Sequence, residues 1–262
     1  MTELTPERAR QAIVDHTARL ADSATTAGPD ANVPTAPEWT VADLVAHVGQ
    51  TQHWIAEIIE RRITDPTQLP TDMAARPGDP HEWPAWLSES ARRVVAACSD
   101  DALDAPVFNA AGDERSGTRF WLTSVLNESV VHGFDAAAAA GRPPSVEADV
   151  AAALIGNHLA MLTSPTWTMQ RPSSAHALRG TGQTLQFQAT DLKSGWYVER
   201  QPTGATWHPG TRPADVTVTG PAGSLLLALT RRLPLTEAAG VTVDGDFGLA
   251  QHWIDNTAHV AD

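Results

Sequence analysis

Apolar positions in the first 140 residues recur at the three-to-four-residue spacing of helices with one buried face. Residues 7–22 set Ile13 and Leu20 seven apart, with Ala9, Ala12 and Thr17 on the same stripe; Thr5-Pro6 supplies the start. The Ala/Thr/Gly/Pro-rich stretch 23–38 reads as a loop. A second helix opens at Trp39-Thr40-Val41-Ala42-Asp43, with Thr40 as N-cap and Asp43 as the reciprocal capping acid, and runs through Leu44, His47, Trp54, Ile55 and Ile58 to about Arg62. Four prolines between 63 and 80 exclude a helix interior. A third helix is predicted from about His81 to Cys98, behind Asp79-Pro80. After a polar connection, the most regular helix covers about 118–140 and stops at Gly141, followed by Arg142-Pro143-Pro144. Four antiparallel helices joined by loops predict a bundle, in which sites form between side chains of facing helices.

Beyond Pro144 the period changes. Ser145 is placed to cap a helix over about 147–163; residues 184–190 and 195–201 then alternate at period two, as half-buried strands do. Residues 215–219 and 241–243 read as two more strands. Between them 221–233 is a Leu-rich helix, and 247–259 forms a last one. The prediction is an α+β protein with two domains: a four-helix bundle at 1–143 and a smaller α/β domain at 144–262.

Composition narrows the partners. A formal charge of −13 argues against nucleic acid and polybasic membrane contacts, which need clustered Lys and Arg. The single cysteine, Cys98, excludes a disulfide framework and a four-Cys zinc site, and is expected as a packed small hydrophobe. No signal pattern and no apolar run of about 18 residues is present, so a cytoplasmic, membrane-free protein is expected.

The chemistry concentrates in Leu126-Asn127-Glu128-Ser129-Val130-Val131-His132-Gly133-Phe134-Asp135. On a helix Glu128 and His132 point within about 40° of each other, and Asp135 within roughly 20° of Glu128. A carboxylate and an imidazole one turn apart can chelate one ion if another helix donates a third ligand. His47, in the apolar run Leu44-Val45-Ala46-His47-Val48, is the natural third donor. His53 lies about 240° around the helix from His47 and cannot share its ion. A Glu–His pair at this spacing also occurs as a surface ion pair, and a lone His in an apolar run as a packed core histidine; spacing alone leaves these alternatives open. Arg61, Arg62 and Arg76 could meet an anionic substrate or stand in solvent. Trp83, Trp86 and Trp121 suit either a pocket wall or the core.

The run from Trp39 to Val48 resembles the W-x-x-x-D-L-x-x-H opening of the mycothiol-dependent maleylpyruvate isomerase family, relatives of the DinB-like metal-binding bundles. Glu128-x-x-x-His132-Gly-Phe-Asp135, continued by Gly141-Arg-Pro143, is similar to its second motif. Further similarity lies at Arg179-Gly180-Thr181-Gly182, at 214–222, at Leu225-Leu226-Leu227, at Arg232-Leu233-Pro234 and at Val243-Asp244-Gly245-Asp246. The resemblance implies a DinB-like bundle followed by a sterol-carrier-like domain, and zinc held by His47, Glu128 and His132. It also implies mycothiol, an actinobacterial thiol, as cosubstrate, with a small electrophile as its partner. Two His and one Glu leave zinc an open position where a thiol would be deprotonated, so the reactive sulfur can be brought in. Asp135 is a candidate to orient a ligating imidazole. The activity expected is thiol transfer or cis–trans isomerisation. Two narrower or blander alternatives are maleylpyruvate isomerase proper, in aromatic catabolism, and a non-catalytic metal- or small-ligand-binding protein.

Overall fold

The computed structural model describes residues 4–257, which fall into two compact units: 5–110 with 114–145, and 146–257 with Leu4 and 111–113. The first unit is helical. α1 (Pro6–Ala27) starts where Thr5 accepts a hydrogen bond from the Arg8 amide, and it runs five residues past the expected end at 22. Those residues continue the helix because Ser23 and Ala24 face the core, and Gly28, at φ 85°, ends it. The rest of the expected loop folds as a hairpin of β1 (Asn32–Val33) and β2 (Ala36–Thr40), turned at Pro34-Thr35. α2 (Val41–Glu60) follows directly. Thr40 Oγ1 accepts from the Asp43 amide and the Asp43 carboxylate accepts from the Thr40 amide, so the predicted reciprocal cap forms.

α3 (Trp83–Ala97) follows a 3₁₀ turn at Pro80–Glu82, which Asp79 caps. α4 (Gly117–Ala139) is capped by Ser116 and ends with Gly141 at φ 67°, where the Arg142 amide reaches the Ala137 carbonyl. That closure satisfies carbonyls that a helix end otherwise leaves open. α1 packs on α3 and α4, and α2 on α3 and α4. Leu20, Val41, Leu44, Val48, Trp83, Leu87 and Ala136 are fully buried between them.

Each of the four helices also contributes a side chain to one buried polar network. Gln52 Nε2 donates to Thr17 Oγ1 (2.8 Å) and Ser129 Oγ (3.2 Å), and Ser90 Oγ donates to Gln52 Oε1 (2.6 Å). A network whose members are paired in this way favours one register of the helices, because sliding any helix strands a buried polar group.

The second unit is mixed. α5 (Ala148–Leu162), α6 (Pro165–Gln170) and α7 (Pro172–Ala177) precede β3 (Thr184–Ala189), β4 (Gly195–Gln201), β5 (Gly204–Pro209) and β6 (Val216–Gly220). α8 (Ala222–Leu229), β7 (Thr242–Gly245) and α9 (Phe247–Asp255) complete it. The sheet order is β5-β4-β3-β6-β7, with β3 and β6 parallel and every other pair antiparallel.

Two expectations need correction here, and one strand was missed. Glu147, and not Ser145, stands at the α5 N-cap, with no side-chain hydrogen bond. The helix expected over 221–233 stops at Leu229, because Arg231 takes φ 60° and Pro234 follows. β5 was not predicted: it is an edge strand whose residues are not sorted into a buried and an exposed face, so the period-two signal is missing. The tail of the helix expected to 259 lies partly outside the described residues. The molecule is thus α+β, helical in its N-terminal part. Among the described residues no helix is long and apolar enough to cross a membrane.

Candidate metal centre

α2 and α4 lie side by side, and they bring His47 to Glu128 and His132. His47 Nε2 stands 3.0 Å from Glu128 Oε2, and His132 Nε2 stands 3.2 Å from the same oxygen. The three donor atoms all lie within 4.8 Å of one another. Ligands at zinc's ordinary bond length in a tetrahedron are about 3.3 Å apart, so this spacing suits a small divalent ion. Among the described residues it is the one group of His, Cys, Asp and Glu donors so arranged.

Asp135 completes the arrangement from one turn along α4. Its side chain is 1% exposed, and Oδ2 accepts from His132 Nδ1 at 2.8 Å. That bond commits Nδ1 as the donor and turns Nε2 toward Glu128, as a ligating imidazole requires. Burial works against a charged His132, but the hydrogen bonds and charges of Asp135 and Glu128 outweigh it and raise the ring to about 9. Burial likewise works against an ionised Glu128. The hydrogen bonds from His132 and His47 prevail and hold its carboxyl well below the usual carboxylate range. Side-chain exposure falls from 37% at His47 through 30% at Glu128 to 12% at His132, so the group opens to solvent on the His47 side.

The remaining candidates do not join this group. His53 packs near Trp86 and Arg93; burial and the Arg93 charge lower its pKa. Arg61 pairs with Glu57, Arg62 is exposed, and Arg76 lies over the Trp83 ring, 5.2 Å from its centroid. Trp83 and Trp121 are core residues, and Trp86 is partly buried. Cys98 is buried, and burial pushes its thiol up to about 12, so it is no nucleophile at neutral pH.

Sequence reasoning gave Trp39 no role in the site. Its ring centroid lies 5.0 Å from that of His47 and 5.9 Å from that of His132. The available signal was an aromatic residue immediately ahead of an N-cap, on the helix that carries a suspected ligand.

Residues 10–137 match the mycothiol maleylpyruvate isomerase N-terminal domain, and residues 166–255 match the SCP-2 sterol transfer family. Among solved structures, the crystal structure of the mycothiol-dependent maleylpyruvate isomerase covers 93% of this chain and 96% of its own, at 19% identity and a TM-score of 0.54. A histidine-to-alanine mutant of that enzyme gives 17% identity and a TM-score of 0.56 over the same shares. At such identities the likeness is one of fold. No curated protein matches the chain. The chain is thus similar to the mycothiol maleylpyruvate isomerase N-terminal domain over residues 10–137 and to the SCP-2 sterol transfer family over residues 166–255.

Proposed function

We propose that this protein is a zinc-dependent enzyme that uses mycothiol as a nucleophile toward a small electrophile, with residues 1–143 as the metal-holding bundle and 144–262 as the second domain. The observation that carries the proposal is the convergence of His47, Glu128 and His132 from two helices, within 4.8 Å, in the part of the chain that matches this family's model. The donor set fits the ion: two imidazole nitrogens, one carboxylate oxygen and an exposed side. A zinc ion held by three protein ligands supplies an open position at which a thiol loses its proton near neutral pH.

Every other task falls to the chain. Asp135 fixes the tautomer of His132, and Glu128 supplies the negative charge of the donor set. The graded exposure from His47 to His132 leaves one direction of entry. Because Cys98 is buried and un-ionised, the reacting sulfur has to come from outside the protein. The deprotonated sulfur would add to an electrophilic carbon–carbon double bond. Rotation and elimination then return the thiol and give cis–trans isomerisation, whereas protonation of the adduct leaves a thioether conjugate. A cytoplasmic location follows, since that is where a low-molecular-weight thiol stays reduced.

The test is incubation of the full-length protein with mycothiol and a panel of electrophiles that includes maleylpyruvate, with and without a chelator, followed by mass spectrometry. Chelator-sensitive conjugate indicates a transferase. Chelator-sensitive isomer of maleylpyruvate indicates that isomerase. No chelator-sensitive turnover across the panel would leave a binding protein and overturn the proposal.

A further inference from the structure

The two imidazoles of the cluster are restrained unequally, and one hairpin reaches both. His132 is held by hydrogen bonds. Its Nδ1 donates to Asp135 Oδ2 at 2.8 Å, and the other Asp135 oxygen, Oδ1, accepts from Thr35 Oγ1 at 2.6 Å. Thr35 sits in the turn between β1 and β2. A hydroxyl-to-carboxylate bond of this length is in the charge-assisted range, and it fixes the plane of a carboxylate that has almost no contact with water.

His47 has a hydrogen bond at one nitrogen only, Nε2 to Glu128 Oε2 at 3.0 Å, and among the described residues none at Nδ1. A terminal ring torsion is broad, so the plane of a ring tethered at one atom is left to its packing. Trp39, on β2, lies against it at 5.0 Å with an interplanar angle of 51°. The same indole stacks on His132 at 5.9 Å and 26°, while the two imidazoles meet edge-to-face at 4.8 Å and 77°. Three rings therefore pack as one group.

The hairpin is anchored firmly enough to serve as a support. Val33 is fully buried against Leu20, Val41, Leu44 and Ala136. Backbone hydrogen bonds from the Val41 amide to the Ala31 carbonyl (2.8 Å) and from the Ala42 amide to the Pro29 carbonyl (3.1 Å) tie its base to the first turn of α2. We propose that Thr35 and Trp39 are positioning residues for the metal centre: Thr35 sets the His132 ring through Asp135, and Trp39 sets the His47 ring directly. The proposal rests on His47, Glu128 and His132 holding an ion.

The experiment uses the full-length protein and three measurements: zinc affinity by competition with a chromophoric chelator, the visible spectrum of the cobalt(II) form, and the melting temperature of the metal-free protein. Thr35→Val keeps the branched shape and removes the hydroxyl; Trp39→Leu keeps apolar bulk and removes the ring. Each is expected to bind one equivalent of zinc about 10-fold more weakly, in the lower range for partners of metal ligands, with shifted cobalt bands. The metal-free melting temperature should change little. Thr35→Ser and Trp39→Phe should recover most of the affinity, and they carry the test if a more drastic variant fails to fold. Wild-type affinity and an unchanged cobalt spectrum in both Thr35→Val and Trp39→Leu would overturn this inference alone, provided His132→Ala has lost the ion. A loss of affinity matched by an equal loss of metal-free stability would overturn it too. If the wild type binds no ion, the proposed function and this inference fall together.

Discussion

His132 donates its Nδ1 proton to the buried Asp135 carboxylate at 2.8 Å, and that bond aims the opposite ring nitrogen at Glu128, 3.2 Å away. Asp135→Asn keeps the shape and removes the charge that makes His132 a strong donor. Zinc affinity should fall about 10- to 100-fold while the stoichiometry stays at one. A competition titration with a chromophoric chelator checks this.

The same bond sets a pH dependence. In the metal-free protein His132 is raised to about 9, so at pH 7 it carries a proton that metal binding must displace. Zinc affinity should rise about 10-fold per pH unit between pH 7 and 8 and level off above 9. Calorimetry in buffers of different ionisation enthalpy should find about one proton released per zinc at pH 7 from this ring. The metal-free fold responds with the opposite sign. A group whose folded pKa lies above its unfolded value stabilises fully below about 6.5 and loses that contribution as pH rises through about 9. Thermal denaturation at pH 6 and pH 9.5, with and without zinc, separates the two trends.

The four-helix polar network should be costly to interrupt. Gln52→Leu removes the partner of Ser90 Oγ and Thr17 Oγ1 and leaves buried hydroxyls to re-pair as they can. The expected loss is about 1–3 kcal/mol, read as a melting temperature lowered by several degrees. Ser129 follows Glu128 directly in the chain, so a slip of α4 would also appear as weaker zinc binding. An unchanged melting temperature would show that the network adds no net stability.

Cys98 should be silent. With its thiol raised to about 12 and its side chain buried, it should resist iodoacetamide in the native protein at pH 8 and react after unfolding. Cys98→Ala should retain turnover, since the nucleophilic sulfur is brought in. Loss of thiol-dependent turnover without loss of fold would assign the cysteine a chemical role.

Much of the site was legible because helix geometry is local. Glu128, His132 and Asp135 share a face by spacing alone, and Thr40 with Asp43 announces the start of the helix that carries His47. The Gly141 stop was legible for the same reason. What escaped depends on long-range contact or on weak local signal. The hairpin at 32–40 has one strand of two residues, and the other reads Ala-Pro-Glu-Trp-Thr, with no buried and exposed alternation. Thr35 meets Asp135 across 100 residues of sequence, a pairing no local pattern encodes. β5 escaped because an edge strand with mixed burial has no period to read.

The most direct test of the metal centre is the zinc content of the full-length protein, by mass spectrometry of the purified wild type and of His132→Ala, both loaded with zinc and passed over a desalting column. Removing one of three donors leaves a chelate that cannot hold the ion through the column. The predicted result is about one zinc per chain in the wild type and almost none in the variant, with both proteins folded. Equal zinc in the two, or none in either, would contradict the assignment of His47, Glu128 and His132.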